Sequence, residues 1–279
     1  MDSYELLDFG DGRKLERFGA WILDRPSPPA EGFSRRKPEL WKRADARFVR
    51  KAGLKGVWQF FTKLPPCWLL DETMFQLELK PTEVGHLGVF HEQADNWRWI
   101  YERTKNAGHP LSVLNLFAYT GGSTLACATG GGRVVHLDSA QNIVQWARRN
   151  AEVSGLSHAP IRWIVEDAMK FVRREIRRGN GYQAIILDPP AYGHGRSGEI
   201  WRLDDHLPEL LDGCATLTSG HPAWLLFTIH SEGFPPETLR PLFRRYFPQS
   251  RLEILPMNLV TRDGRPLPSG FAVRIQESE

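Results

Sequence analysis

The run Asn115-Leu116-Phe117-Ala118-Tyr119-Thr120-Gly121-Gly122 decides the fold of this 279-residue chain. It joins an apolar strand predicted over residues 113–117 to a small-residue helix predicted over 123–129. The glycines let the backbone turn tightly and approach a ligand that a Cβ atom would exclude. In open α/β sheets, ligands bind outside the carboxyl ends of the strands. The turn is therefore the first candidate for a binding element.

The same alternation of strand and helix continues along the chain. Apolar runs of strand length alternate with segments whose apolar residues recur every three or four positions, which is typical of βαβ units around a parallel sheet. The C-terminal stretch predicts a helix and then two strands around the turn Asp263-Gly264-Arg265-Pro266. The other strands are predicted over 133–137, 161–165, 182–187 and 223–229, and the other helices over about 92–106, over 140–153, from 168 onward and over about 203–217.

Acidic residues follow two of these strands. Asp138 lies about 20 residues after the turn, the separation at which an acid reaches a ribose diol in dinucleotide-binding folds. Its carboxylate can accept hydrogen bonds from both hydroxyls. Asp167-Ala168 is placed to contact an adenine amino group, although Asp167 also suits the N-cap of the next helix. Each feature alone is typical of an ordinary turn, strand end or helix cap, but together they predict a nucleoside site.

The fourth strand ends in Asp188-Pro189-Pro190-Ala191-Tyr192. The prolines fix φ and remove backbone donors, so the loop is rigid and presents carbonyl oxygens and one carboxylate. Such a loop can accept hydrogen bonds from an amino group or ring N–H of a substrate, while Tyr192 stacks on the flat face of the ring. A simple Asp-Pro turn is the alternative interpretation. The expected position beside the Gly121 turn favours a substrate-binding role.

The first 84 residues predict a β-rich domain of short strands. Within it, the basic stretch, residues 33–55, contains nine basic and two acidic residues, a net charge of +7 in a chain whose total is +3. Trp41 and Phe48 lie between the cations, which suits a surface that follows a nucleic-acid backbone and stacks on bases. A solvated charged segment explains the pattern equally well. The strands are predicted over 18–23, 57–62 and 75–79, and the cations are Arg35, Arg36, Lys37, Lys42, Arg43, Arg47, Arg50, Lys51 and Lys55.

Composition excludes several classes of protein. With 41% hydrophobic and 25% charged residues, the chain is not a disordered protein. Three widely spaced cysteines argue against a secreted disulfide scaffold. No apolar run approaches the roughly 18 residues that span a bilayer, and the chain start lacks a signal pattern, so we expect a cytoplasmic protein. The histidines lack metal-ligand spacing, so no metal is expected. The motif Gly193-His194-Gly195-Arg196-Ser197-Gly198 lacks the strand–turn–helix context of a dinucleotide site, which disfavours a nicotinamide dehydrogenase.

These motifs together resemble a class I S-adenosylmethionine-dependent methyltransferase, and more narrowly the bacterial large-subunit ribosomal RNA methyltransferases. Upstream of the turn, Gly88-Val89-Phe90-His91-Glu92-Gln93 is similar to a family segment that lies near the cofactor. The resemblance covers about residue 85 to the C-terminus and extends loosely over the N-terminal part. Relatives often carry a PUA domain at the front, and none is expected here. The residues that carry the resemblance are Asn115 to Gly121, Asp138, Asp167 and Asp188-Pro189-Pro190.

The resemblance implies an α/β fold. Residues 85–279 are expected to form a Rossmann-like seven-stranded sheet with one antiparallel strand, behind a small N-terminal β-rich domain of residues 1–84. The implied cofactor is S-adenosylmethionine, with its methionine part at the Gly121 turn, its ribose at Asp138 and its adenine at Asp167. The expected cofactor-binding residues are Phe90, Gln93, Asn115, Phe117, Ala118, Tyr119, Thr120, Gly121, Asp138, Ser139, Asp167, Ala168 and Asp188, and the expected catalytic residues are Asp188, Pro189, Pro190 and Tyr192.

The resemblance also bears on the atom that is methylated. Relatives that methylate carbon 5 of a pyrimidine use a cysteine just after the fifth strand, where this chain reads Phe227-Thr228-Ile229-His230-Ser231. Cys214 lies on the preceding helix, where its side chain is expected to be packed. We therefore expect methylation of a nucleobase nitrogen in RNA, with ribosomal RNA favoured and the stretch Arg35 to Lys55 binding its backbone. The alternatives are a small-molecule N- or O-methyltransferase and a non-catalytic RNA-binding relative.

Overall fold

The computed structural model describes residues 3–51, 55–194, 198, 200–230 and 233–277. The described residues form two compact units. Unit 1 comprises Met1–Glu92 and Asn258–Ser269, and unit 2 comprises Gln93–Met257 and Gly270–Glu279. The division into domains after residue 84 stays a prediction.

Unit 1 is built mainly from antiparallel strands. Its first five strands form one sheet in chain order, in which only the third and fourth strands pair in parallel, and the next two strands form a separate hairpin. The elements are β1 (Tyr4–Gly10), β2 (Arg13–Phe18), β3 (Trp21–Pro26), α1 (Pro38–Trp41), β4 (Ala46–Arg50), β5 (Gly56–Phe60), β6 (Trp68–Asp71) and β7 (Gln76–Leu79).

Two expectations for this unit need correction. The predicted strand over 18–23 is wrong, because the chain turns at Gly19, which has φ +63°, so that Phe18 ends β2 and Trp21 begins β3. The sequence also predicts that the basic stretch is an excursion from the β-rich unit, and this is wrong because the stretch contributes α1 and the inner strand β4.

Both faces of the first strand of unit 1 are packed. Successive side chains of a strand point to opposite faces, and an irregularity between Leu6 and Asp8 shifts this alternation by one residue, so that Leu6 and Phe9 share a face. Leu6 and Phe9 pack with Leu259 and Leu267, whereas Leu7 packs with Leu15, Ile22 and Trp41. Segment 258–269 is thus part of the core of unit 1.

Unit 2 alternates helices and strands. The segment 112–229 has the predicted βα pattern, with bounds that differ from the expected ones by one or two residues. A short hairpin after the diproline loop was not predicted. The elements are α2 (Ala94–Lys105), β8 (Ser112–Leu116), α3 (Gly122–Thr129), β9 (Arg133–Asp138), α4 (Gln141–Val153), β10 (Ile161–Val165), α5 (Ala168–Arg177), β11 (Ala184–Leu187), β12 (Tyr192–His194), β13 (Ile200–Arg202), α6 (Leu203–Leu217), β14 (Trp224–Ile229), α7 (Pro236–Tyr246), β15 (Arg251–Val260) and β16 (Pro266–Gln276). The residues of β15 and β16 that fall within 258–269 belong to unit 1.

The main sheet has seven strands in the order β10-β9-β8-β11-β14-β16-β15. The first five are parallel, and β16 runs antiparallel to β14, which confirms the expected seven-stranded sheet with an antiparallel strand. Every residue of β11 and β14 is buried, as expected for inner strands of a parallel sheet covered on both faces. No described helix is long and apolar enough to cross a membrane.

Candidate active site

The sheet order of unit 2 brings the predicted motifs to one edge. Leu116, the last residue of β8, lies opposite Leu137 of β9 and Leu187 of β11, and Leu187 lies opposite Phe227 of β14. Because these strands are parallel, their carboxyl ends and the loops that follow them are neighbours. The Gly121 turn is therefore flanked by the loop of Asp138 on one side and by that of Asp188 on the other.

The turn after β8 is conformationally unusual. Phe117 and Tyr119 have φ angles of +57° and +49°, values rare for residues with large side chains, and Gly121 has φ +94°. A Cβ atom on Gly121 would lie 3.3 Å from the Cβ of Ala147. Such backbone geometry is held only when the surrounding structure enforces it, and it concentrates at ligand-binding sites. The turn leads into α3, whose N-cap Gly121 supplies no side-chain hydrogen bond to the helix.

A buried chain of hydrogen bonds supports the turn from below. Asn115 Nδ2 donates to Thr124 Oγ1 at 2.8 Å, and the same hydroxyl lies 2.8 Å from Nδ1 of His136. Burial lowers the pKa of His136 to about 3, so the ring is neutral at physiological pH. Asn115 is buried, so the structure gives this residue a supporting position beneath the turn. Its expected contact with a cofactor stays a prediction.

Asp138 ties the turn after β8 to the start of α4. Its Oδ2 accepts a hydrogen bond from the backbone N–H of Tyr119 and its Oδ1 accepts one from Ala140, each at 3.0 Å. Burial raises the pKa of Asp138, and the backbone N–H groups of Ala140, Tyr119 and Ser139 oppose that rise. The two oxygens have four lone pairs, so with three backbone N–H groups bound the carboxylate can accept one more hydrogen bond. It remains able to accept from a ribose hydroxyl.

Asp167 occupies the predicted N-cap of α5. Its Oδ1 accepts a hydrogen bond from the backbone N–H of Lys170 at 2.9 Å. Ala168 follows as a buried residue at the first turn of the helix. The cap confirms the structural interpretation of Asp167, and the adenine contact expected of Asp167 and Ala168 stays a prediction.

Asp188 is the centre of a polar cluster that joins three elements of unit 2. Its Oδ1 accepts a hydrogen bond from the hydroxyl of Thr228 at 2.6 Å, and its Oδ2 accepts one from Nε2 of Gln93 at 3.2 Å. His230 Nε2 lies 3.4 Å from Oδ1. Thr228 and Gln93 are almost fully buried, whereas Asp188 and His230 keep about a third of their side chains exposed. Buried donors therefore orient the carboxylate, and its exposed part stays accessible to a ligand.

Buried amides fix the orientation of Gln93. Asn96 Nδ2 donates to Gln93 Oε1 at 2.8 Å, and Asn96 Oδ1 in turn accepts from Arg274 at 2.8 Å. The side-chain oxygen of Gln93 is therefore occupied, and its NH₂ group must point toward Asp188 and Thr228. The structure brings together two residues predicted for the site, Gln93 and Asp188, which are 95 residues apart in the chain.

The diproline loop is attached to the Gly121 turn through an aromatic contact. Trp201 of β13 donates its ring N–H to the carbonyl of Pro190 at 2.7 Å. The same ring lies 4.9 Å, centroid to centroid, from Phe117. Pro189 is buried and Pro190 is exposed. The predicted proximity of the loop and the turn is therefore present in unit 2.

Three predicted residues have other surroundings. Tyr192 begins β12 and is 51% exposed, pairing with Arg202 across the hairpin. Phe90 belongs to unit 1, where its ring meets His86 edge-on with centroids 5.1 Å apart. Thr120 is buried, and its carbonyl accepts from the side chain of Asn150 at 2.8 Å. The site roles of these three residues stay predictions.

Sequence reasoning missed Thr228, His230 and Asn96. Thr228 and His230 follow the rule used for the other motifs, since they lie at the carboxyl end of a parallel strand. Asn96 has no signal of its own in the sequence. Residues 195–197 of the glycine motif and Ser231 lie outside the described residues.

The comparison of the chain with known families is decisive. Residues 64–223, more than half of the chain, match the family described as S-adenosylmethionine-dependent methyltransferase. The chain belongs to this family. A solved S-adenosylmethionine-dependent methyltransferase from Agrobacterium tumefaciens is 35% identical, with 100% of this chain and 91% of that chain covered at a TM-score of 0.93. The fold of this family member is accordingly the class I methyltransferase fold with an N-terminal β-rich region.

Two other similar proteins are named as RNA methyltransferases. A ribosomal RNA large subunit methyltransferase I from Aeromonas salmonicida is 31% identical over 163 residues, covering 57% of this chain but 40% of that protein. The chain thus spans less than half the length of that relative. The tRNA (uracil-54, C5)-methyltransferase of Pyrococcus abyssi, solved with S-adenosyl-L-homocysteine, shares the fold at a TM-score of 0.53 and 16% identity, covering 94% of this chain and 59% of that one.

The residues present in unit 2 fit the cofactor of this family. A carboxylate at this strand end that can still accept a hydrogen bond suits a ribose hydroxyl, and it is provided by Asp138. The start of α3, which has no side-chain cap and leaves little room for a Cβ at Gly121, suits a carboxylate group. No group of three or more metal-ligating side chains occurs among the residues that the structure describes.

Proposed function

We propose that this methyltransferase transfers a methyl group to a nucleobase nitrogen of RNA, with ribosomal RNA as the favoured substrate, in the cytoplasm. The observation that carries the proposal is the Asp188 cluster. Its carboxylate is oriented by Thr228 and Gln93 and stays open on one side, next to the turn expected to hold the cofactor.

The cofactor would be held at the strand ends of unit 2. Asp138 would accept hydrogen bonds from the ribose hydroxyls, Asp167 would meet the adenine, and the turn around Gly121, with Gln93 at the N-cap of α2, would enclose the methionine part. When bound, S-adenosylmethionine supplies a methyl group already activated by its sulfonium. The protein then mainly needs to align the acceptor and exclude water.

The target base would be held by the diproline loop. Asp188 and the carbonyl of Pro189 accept hydrogen bonds from an amino group or ring N–H, and Tyr192, which is half exposed, is available to stack on the base. A nitrogen that gains a methyl group loses a proton. His230 lies beside Asp188 and can accept a proton at Nε2, which keeps the proton within the cluster.

The cysteines described in unit 2 are poorly suited to act as nucleophiles. The two cysteines described in this unit, Cys127 and Cys214, are completely buried. Burial raises the pKa of Cys127 to about 12 and also raises that of Cys214. A covalent mechanism needs a thiolate, which these surroundings disfavour. The position after β14 holds His230 instead, which supports methyl transfer without a covalent intermediate.

The basic stretch supports RNA binding in part. Trp41 and Phe48 are buried, so the expectation that they stack on bases is wrong. Arg47 is engaged by Asp24, and Arg35 covers the ring of Trp41 while pairing with Asp11. Five exposed cations of the stretch form no ion pair with any residue that the structure describes and are available to phosphates. They are Arg36, Lys42, Arg43, Arg50 and Lys51.

Methyl-labelled S-adenosylmethionine tests the substrate class. Incubated with the protein and total RNA from a strain lacking the gene, it should label RNA, and the label should map to a base nitrogen. Because phosphate contacts release counterions, RNA affinity should fall steeply as salt rises, whereas a small substrate would be nearly indifferent to salt. Label that appears only in small metabolites would establish the small-molecule alternative instead.

A further inference from the structure

Two phenylalanines at the end of the first sheet of unit 1 are exposed. Phe60 ends β5 and is 54% exposed, and Phe61 follows it at 58%. No other large hydrophobic side chain in the described part of the chain is more exposed. β5 is the last strand in the order β1-β2-β3-β4-β5. Neither ring is needed to fill the core of this unit.

The backbone beneath these rings is well anchored. Phe60 lies opposite the buried Ala46 of β4, and its ring stacks against Trp58 with centroids 6.4 Å apart. Trp58 in turn donates its ring N–H to the carbonyl of Thr82 at 2.9 Å. The N–H of Phe61 donates to the carbonyl of Asp45 at 2.8 Å. The rings are therefore displayed from a fixed support.

Three cations neighbour the two phenylalanines, either in the sequence or through the contact between Phe61 and Asp45. Lys42 and Arg43 closely precede Asp45, whose carbonyl binds Phe61, and Lys63 follows Phe61 after one intervening residue. All three are exposed and form no ion pair with a described residue. We call Lys42, Arg43, Phe60, Phe61 and Lys63 the Phe60 surface.

Both carboxylate oxygens of Asp45, the acidic residue next to this surface, already accept hydrogen bonds. Oδ1 of Asp45 accepts from the hydroxyl of Thr62 at 2.8 Å, and Oδ2 accepts from the N–H of Ile22 at 2.8 Å. A second copy docking on this surface would bring like charges together without a free carboxylate to compensate them. A negatively charged polymer with flat apolar faces matches both the cations and the rings.

We propose that the Phe60 surface binds a single-stranded segment of the RNA substrate, with bases stacked on Phe60 and Phe61 and phosphates beside Lys42, Arg43 and Lys63. The inference rests on the proposed function, because it takes RNA as the substrate. Stacking on aromatic rings is available to unpaired bases, whereas duplex RNA is recognised mostly through its backbone and shape. Phe60 and Phe61 would therefore make the stacking contacts with RNA that the sequence assigned to Trp41 and Phe48.

Fluorescence anisotropy with a labelled single-stranded RNA oligonucleotide tests the proposal. The double variant Phe60→Ala/Phe61→Ala should weaken the RNA Kd about tenfold or more, since stacking contributes substantially for each base. Phe60→Trp/Phe61→Trp should restore binding. Val260→Ala removes a similarly exposed apolar side chain of unit 1 and should leave the Kd unchanged. An oligonucleotide containing 2-aminopurine should change fluorescence with the wild type but not with the double alanine variant.

Other outcomes separate this inference from the proposed function. If the double alanine variant binds RNA as tightly as Val260→Ala does, the stacking role is contradicted while RNA methylation by the wild type keeps the proposed function intact. Sedimentation compares the oligomeric state of the two proteins. If the wild type is a dimer and the double alanine variant is a monomer with unchanged RNA affinity, the surface is a contact between copies and the inference is overturned. If the wild type neither binds nor methylates RNA, the proposed function fails as well.

Discussion

We expect Asp188→Ala to lower kcat for methyl transfer by about 10²-fold or more, the range for losing a positioned polar group at a reacting centre. The carboxylate is held by the Thr228 hydroxyl and the Gln93 amide, so its direction is fixed before a substrate arrives. Single-turnover kinetics with the labelled cofactor measures the change, and calorimetry shows whether cofactor affinity changes less than kcat does.

Asp188→Asn sharpens this test. Both carboxylate oxygens accept hydrogen bonds from donors of the protein, and the amide replaces one oxygen by a further donor. The amide side chain of this variant is therefore expected to be misoriented, and the variant should lose most of its activity although the size of the side chain is unchanged. Asp212→Ala, which removes an exposed carboxylate on α6, is the matched control and should keep full activity. Wild-type activity in Asp188→Asn would contradict the assigned role.

The second large effect concerns stability. We expect Phe227→Ala to lower the free energy of unfolding by about 3–5 kcal/mol, because it empties a fully buried site in the central sheet. Phe227 lies opposite Leu187 and Val273 on the neighbouring strands, and its ring packs 5.1 Å from Phe243 of α7. Phe227 directly precedes Thr228, so β14 contributes both a core residue and a residue of the Asp188 cluster.

Chemical denaturation measures this change, and Phe60→Ala provides the control. The control removes the same atoms from a half-exposed position, so the free energy of unfolding should change by about 0.5 kcal/mol or less. Equal losses of stability in the two variants would show that β14 is not the packed centre of unit 2.

Much of unit 2 could be predicted because its signals are local. A buried strand of a parallel sheet is a continuous apolar run, as β11 and β14 show, and a polar residue soon after such a run marks the edge of the sheet. Asp138, Asp167 and Asp188 follow such runs, and the common edge then follows from the parallel order of the strands.

The contacts that sequence reasoning missed depend on long-range pairing. Gln93 and Thr228 are 135 residues apart and meet only because the fold brings the N-cap of α2 to the end of β14. Trp41 and Phe48 lie among cations in the sequence, yet the pairing of β4 between β3 and β5 and the contacts of Trp41 with Leu7 and Leu15 bury them. Local charge patterning carries no information about such burial.

The central claim is that the cofactor of this methyltransferase lies across the strand ends of unit 2 with its ribose at Asp138. Calorimetric titration of the wild type, Asp138→Ala and the control Asp212→Ala with S-adenosylmethionine tests it most directly. We predict that Asp138→Ala weakens binding by about 1–3 kcal/mol, the range for losing a hydrogen-bonded charged group, while Asp212→Ala binds as the wild type does. Equal affinity of Asp138→Ala and the wild type, in variants of equal thermal stability, would contradict the claim.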